Sequence, residues 1–168
     1  MRINWKRYGI FALLSALLIL LDQWTKSLAY DRLRVNGPFL IWDGVFELLY
    51  SENRGAAFGI LQGKQWFFLL VAAAVVIVVL LFLHRLPEGK RYLPLFFCMV
   101  LLASGAVGNV IDRLSRGFVV DFLYFSLIDF PIFNVADCYV VVAAGLLILL
   151  TGFVYKDEEL SFLSLKEK

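Results

Sequence analysis

Four long apolar runs set the plan of this chain. The first is IFALLSALLILL at 10–21, continuing through DQWTKSLAY, and the second is WFFLLVAAAVVIVVLLFL at 66–83. YLPLFFCMVLLASGAVGNVI (92–111) and CYVVVAAGLLILLTGFVY (138–155) complete the set. A bilayer core about 30 Å thick needs about 20 apolar residues per helix, and each run is long enough. The pattern predicts transmembrane helices at about 9–29, 66–84, 92–112 and 137–155 in a single membrane domain spanning 1–168. Between the second and third, HRLPEGKR (84–91) reads as a short polar turn. The other two connectors, at about 30–65 and 113–136, are longer. In the first, FLIW and VFELLY flank Asp43-Gly44, a dipeptide that favours a type I′ hairpin turn. A small sheet on the outer membrane surface, continuing into SENRGAAFGIL (51–61), is therefore expected; the alternative is an irregular loop. The fold class is a mainly α membrane protein with four transmembrane helices, a small extracytoplasmic β-sheet and a short outer connector.

Charge fixes the orientation. An even number of spans puts both termini on one side, with 1–9, 84–91 and 156–168. That side holds nine Lys or Arg, against six on the opposite side, where they are spread over about twice as many residues. By the positive-inside rule both termini are cytoplasmic. Arg2, Lys6 and Arg7 ahead of an apolar stretch resemble a secretory signal peptide, but Asp22, Gln23, Trp24 and Lys26 stand where a small-residue cleavage site would be. An uncleaved first helix is expected. The tail KDEELSFLSLKEK reads as a solvated extension.

Composition narrows the chemistry. Apolar residues make up 61% of the 168, well above a soluble domain, and a net charge of +2 is too small to point to a nucleic-acid partner. One His and two Cys without metal-ligand spacing disfavour a metal site, and no cofactor is expected.

The polar residues near the membrane fall in four clusters. In LLDQWTK, Asp22 and Lys26 stand i,i+4 with the acid first, the favourable order for a helical ion pair. In ENRGAAFG, Asn53, Arg54 and Gly55 combine hydrogen-bonding capacity with close backbone approach. Ser51 lacks any nearby base that would suggest a nucleophile. In SGAVGNVIDRLSRG, Ser104 and Gly108 form a small-xxx-small spacing, and Asn109 and Asp112 share a face, with Arg113 or Arg116 in reach of Asp112. The fourth cluster, FVVDFLYFSLIDFPIFNVADCY (118–139), holds Asp121, Asp129 and Asp137 in apolar surroundings, where a carboxylate is costly.

Taken singly, Asp121 reads as an acid reaching for the interface, and Asp137 as a first-turn acid favoured by the helix dipole. Together, at the outer ends of adjacent helices, they can face each other across a cleft. Two close carboxyls do not both ionise readily, so the pair would hold one proton. The charged member can then activate water while the protonated member polarises a carbonyl. Asp129, ahead of Phe130-Pro131, suits a turn. Phe122, Phe125, Phe130 and Phe133 are the expected apolar walls. Intramembrane acids also mark proton paths, but the second to fourth helices have uncharged centres, which disfavours a proton-coupled transporter; a non-catalytic scaffold is the third alternative.

DQWTK, NRGAAF, GNVIDRLSRGFVVDF and FNVADCY, in that order, resemble the sequence boxes of the bacterial lipoprotein signal peptidase (signal peptidase II) family. The resemblance covers nearly the whole chain. It implies an aspartic endopeptidase of the bacterial cytoplasmic membrane that cuts prolipoproteins before a diacylglyceryl-modified cysteine. It implies Asp121 and Asp137 as the catalytic dyad. Asp22, Lys26, Asn53, Gly55, Asn109, Asp112, Arg113, Asn134 and Ala136 would shape or support the site. The implied partners are prolipoprotein substrates and membrane lipids; an active site near the outer leaflet and a monomeric enzyme are expected.

Overall fold

The computed structural model describes residues 4–55 and 64–163. The Ala56, Ala57 and Phe58 part of the second motif lies outside them. Among the described residues, four helices are long and apolar enough to cross a membrane. Helix α1 (Trp5–Leu28) starts ahead of the expected boundary because Asn4 caps it, its side chain accepting from the Arg7 backbone N–H. Past Leu28 the chain does not leave the helix. It widens into a π-helical turn (Ala29–Leu33) and closes with the short helix α2 (Arg34–Asn36). Gly37, at φ 82°, ends it. The outer segment expected from residue 30 is therefore helical at first, since no breaker occurs before Asn36-Gly37.

Helices α3 (Gln65–Arg85), α4 (Leu93–Ser115) and α5 (Val135–Leu149, extended by a π turn to Val154) complete the bundle. Helix α4 is its centre: half of its most apolar window is buried, against small fractions of the other helices. The small residues on α4 explain the close fit. A Cβ at Gly105 would lie 2.6 Å from the Ala136 carbonyl oxygen, and one at Gly108 would lie 2.5 Å from Asp22 Oδ2. Ser104, on the same helix, is buried and returns its hydroxyl to the Val100 carbonyl at 2.7 Å. Below these small residues, Phe11, Leu83, Phe96, Met99 and Val100 build the main apolar core. The exposed leucines, valines and phenylalanines of α3 and α5 face outward, as lipid-covered helices do.

A three-stranded antiparallel sheet caps one end of the bundle, in the order β1 (Phe39–Trp42), β2 (Phe46–Asn53), β3 (Val119–Tyr124). The expected hairpin is present, but its turn is not type I′. Trp42 pairs with Phe46, the Val45 N–H closes onto the Trp42 carbonyl at 3.0 Å, and only Gly44, not Asp43, takes a positive φ. Type I′ needs two such residues. The third strand is a correction as well. Residues 119–124, read as a connector just beyond a helix, pair with β2, Ser51 lying opposite Asp121. The run VVDFLY carries the β-branched and aromatic residues that suit a strand. The tail also differs from a free solvated extension. Tyr155 donates to the Arg91 carbonyl at 2.6 Å, Glu159 pairs with Arg91 at 2.9 Å, and Phe162 packs edge-on to Tyr92.

Candidate active site

Two buried layers converge where the sheet meets the bundle. The lower one is ionic. Lys26 and Asp22, one turn apart on α1, are both fully buried with Nζ and Oδ2 at 2.9 Å. Lys26 Nζ also reaches Asp112 Oδ2 at 3.4 Å and donates to Asn109 Oδ1 at 2.8 Å. Asp112 takes Arg116 rather than Arg113, at 2.6 Å. Two acids and two bases thus neutralise one another, the condition for holding charges away from water.

Each of these acids also grips a backbone N–H. Asp22 Oδ1 accepts from Ala136 N at 2.9 Å, and Asp112 Oδ2 accepts from Val120 N at 3.0 Å. Ala136 immediately precedes Asp137, and Val120 immediately precedes Asp121. One lysine therefore clamps two acids that fix the backbone beside each aspartate of the proposed dyad.

The upper layer holds Asp121 and Asp137 themselves. Asp121, 2% exposed, leaves β3 on the face turned towards α5. Its Oδ2 accepts from Asn53 Nδ2 at 2.9 Å and its Oδ1 from Asn134 Nδ2 at 2.6 Å. The Asn53 amide is oriented because its oxygen accepts from the Gly55 N–H at 3.0 Å. Asp137 sits in the first turn of α5 and forms a capping box with Asn134. Its Oδ2 accepts from the Asn134 N–H at 3.1 Å and its Oδ1 from Asn109 Nδ2 at 2.8 Å. Asn134, fully buried, thus bonds both acids, through its side chain to Asp121 and its backbone to Asp137. It reaches this place because the Phe133 carbonyl accepts from the Phe122 and Leu123 N–H groups at 2.9 and 2.8 Å, docking the connector on β3. Burial first, and the nearby Asp137 charge second, push the Asp121 carboxyl up to about 7.

Both aspartates open onto one cleft of about 540 Å³, together with Asn53, Gly55, Asn109 and Arg113. Asp22, Lys26 and Asp112 lie behind the cleft wall. Arg113 has its guanidinium 4.7 Å from the centre of the Phe68 ring and donates to the Gly55 and Asn109 carbonyls at 3.3 and 3.4 Å. Among the described residues it makes no ion pair with a carboxylate. Phe130 and Phe133 form apolar wall as expected, but Phe122 does not. Successive strand residues point to opposite faces, so Phe122 packs with Ala29 behind the sheet. Phe125 stacks on Phe133 with ring centres 5.9 Å apart and does not line the cleft. The missed wall residues include Phe68, from α3, Ile132 of the connector, and Val141 and Val142 of α5. Val141 stands four positions after Asp137, and Val142 four after Cys138, which also lines the cleft, a helical spacing that could have found them.

Asp129 is separate from this arrangement. It takes a left-handed backbone (φ 49°, ψ 43°) after a 3₁₀ turn and accepts from the Tyr124 hydroxyl at 2.7 Å. Asp129→Asn keeps an acceptor and a side chain at ease in that conformation, and is expected to change turnover by less than about threefold, as exposed substitutions usually do. A loss as large as that of Asp121→Asn in a cleavage assay would move the chemistry to Asp129.

A family model described as signal peptidase (SPase) II matches residues 14–153. A lipoprotein signal peptidase of Brevibacillus brevis is 44% identical over 139 residues, covering 83% of this chain and 92% of that protein. One from Streptococcus thermophilus is 41% identical over 141 residues, 84% of this chain and 89% of that one. A bacterial membrane enzyme solved by the in meso method at 2.3 Å resolution superposes with a TM-score of 0.75 at 30% identity, over 95% of this chain and 94% of that one. With the family model spanning α3, α4 and Val135–Leu149 of α5 in full and most of α1, and with described residues of three of the four motifs lining one cleft while Asp22 and Lys26 of the fourth lie behind it, this chain belongs to the signal peptidase II family of bacterial multi-pass membrane peptidases.

Proposed function

We propose that this peptidase removes the signal peptide of diacylglyceryl-modified prolipoproteins by an aspartic mechanism, with Asp121 and Asp137 sharing one proton. The single observation carrying this reading is Asn134. It ties both carboxyls to one buried framework, and both acids face the same cleft. Asp121, whose carboxyl burial pushes up to about 7, keeps the proton and donates it to the scissile carbonyl oxygen. Asp137, at the positive end of α5 and hydrogen-bonded by the Asn134 N–H, bears the charge and takes a proton from the attacking water. Water oxygen bonds to the carbonyl carbon as the oxygen is protonated. The tetrahedral adduct collapses when Asp137 returns its proton to the nitrogen of the lipidated cysteine and the C–N bond breaks. Asp121 takes back a proton from one of the two hydroxyls as the carbonyl re-forms, which restores the starting pair. Asn53 and Asn109 hold the carboxyls at fixed angles, so little reorganisation accompanies the reaction.

The apolar wall of Phe68, Phe130, Ile132, Val141 and Val142 suits acyl chains that arrive laterally in the bilayer. The excess of Lys and Arg on the side of the termini supports a cytoplasmic location for both, in which case the cleft serves the outer leaflet.

Turnover of a purified diacylglyceryl-prolipoprotein should depend on pH as a bell, its alkaline limb near pH 7 where Asp121 loses its proton. A profile flat from about pH 4 to 9 contradicts a shared proton.

A further inference from the structure

At the end of the bundle opposite the aspartates, a second cavity of about 340 Å³ opens between the starts of α1 and α4. Its rim carries Lys6 and Lys90, both exposed, with no ion-pair partner among the described residues. Arg7 adds a third cation. It is held in place by the carbonyls at the end of α3, donating to Leu86 O at 2.5 Å and Pro87 O at 3.3 Å. The one acid on the rim, Glu88, accepts from the Asn4 side chain at 2.8 Å, which leaves a net positive mouth. Helices α1 and α4 both begin here, so their positive dipole ends add to it. Below the charges, Ile10, Leu93 and Phe96 form an apolar groove running into the membrane-spanning part.

Cations above an apolar groove at a helix-to-membrane boundary are complementary to a lipid with a charged head and an acyl tail. We propose that this cavity is a binding site for one anionic phospholipid of the leaflet opposite the active site. Its phosphate lies between Lys6 and Lys90, and one acyl chain lies along Ile10, Leu93 and Phe96. Such a lipid bridges α1, which carries Asp22 and Lys26, to α4, which carries Asn109 and Asp112, and so stabilises the helix pair behind the cleft. The inference rests on the membrane fold and not on the catalytic roles.

The test is thermal unfolding and native mass spectrometry of the full-length protein in neutral detergent, with phosphatidylglycerol or phosphatidylcholine of identical chains. Phosphatidylglycerol is expected to raise the unfolding midpoint and to persist as a single adduct, and phosphatidylcholine to do neither. The double variant K6Q/K90Q should bind phosphatidylglycerol about 30-fold more weakly, roughly fivefold per lysine. Ile10→Trp, which fills the groove and leaves the charges in place, should also lose the adduct, and it keeps the test decisive if the double variant does not purify folded. Equal stabilisation by the two lipids, or unchanged phosphatidylglycerol binding in either variant, overturns the site.

Discussion

Asp121→Asn is expected to lower turnover about a thousandfold or more, within the range of removing a positioned acid or base, while the protein stays folded. The change is nearly isosteric, and the new amide oxygen can still accept from the fully buried Asn134, while the half-buried Asn53, which now donates to the other carboxyl oxygen, loses its acceptor. Stability argues the same way. A carboxyl raised from 3.8 to about 7 in the fold contributes fully below pH 4 and loses that contribution as pH rises through 7. Replacing it with an uncharged amide removes that cost above pH 7, which offsets the one hydrogen bond lost there, so the variant should remain folded. Asp137→Asn should abolish turnover as completely, since one charged and one protonated member are both required. Cleavage assays paired with thermal unfolding check both variants. If either retains a tenth of the parental rate, about 1.4 kcal/mol of barrier, its assigned role is wrong.

Lys26→Met is expected to be the most destabilising exchange in the molecule. The methionine fits the space of the lysine stem but leaves Asp22 and Asp112 facing each other, buried, without the cation between them. Breaking a buried pair by removing one partner costs about 3–5 kcal/mol. The effect on activity should exceed the effect on folding. Both acids would shift, releasing Ala136 N and Val120 N and with them the backbone beside Asp137 and Asp121. Asn109 would also lose the shorter of the two contacts that turn its oxygen away from Asp137, keeping only the one from Asn134. A variant with a parental unfolding midpoint and parental turnover would show that the ionic layer neither supports the fold nor positions the dyad.

The helical frame was legible because a membrane span needs an apolar run of fixed length, and four such runs stand out. The Asp22–Lys26 pair was legible because helical spacing is local. The contribution of Asp121 to a sheet was not. A six-residue strand whose partner lies about 70 positions earlier leaves no local signature beyond Val, Phe and Tyr content, which a lipid-facing segment shares. That miss carried over to Phe122, since only a strand sends neighbouring side chains to opposite faces. The choice of Arg116 over Arg113 for Asp112 was open in the spacing and was decided by the Phe68 ring, brought by α3, which holds Arg113 over the cleft. A supporting role for Asn134 came only with the family resemblance, and its central position was not legible in the residues. Its bond to Asp121 depends on the Phe133 docking that places the connector beside β3.

The most direct measurement is a carbon-13 NMR titration of aspartate carboxyls in the full-length protein, with Asp121→Asn and Asp137→Asn alongside. The account predicts one carboxyl titrating near pH 7 in the parent, absent from Asp121→Asn and displaced to lower pH in Asp137→Asn, where the neighbouring charge is gone. A parent with no carboxyl titrating above about 5, or a titration near 7 that survives unchanged in both variants, would contradict a proton shared by Asp121 and Asp137.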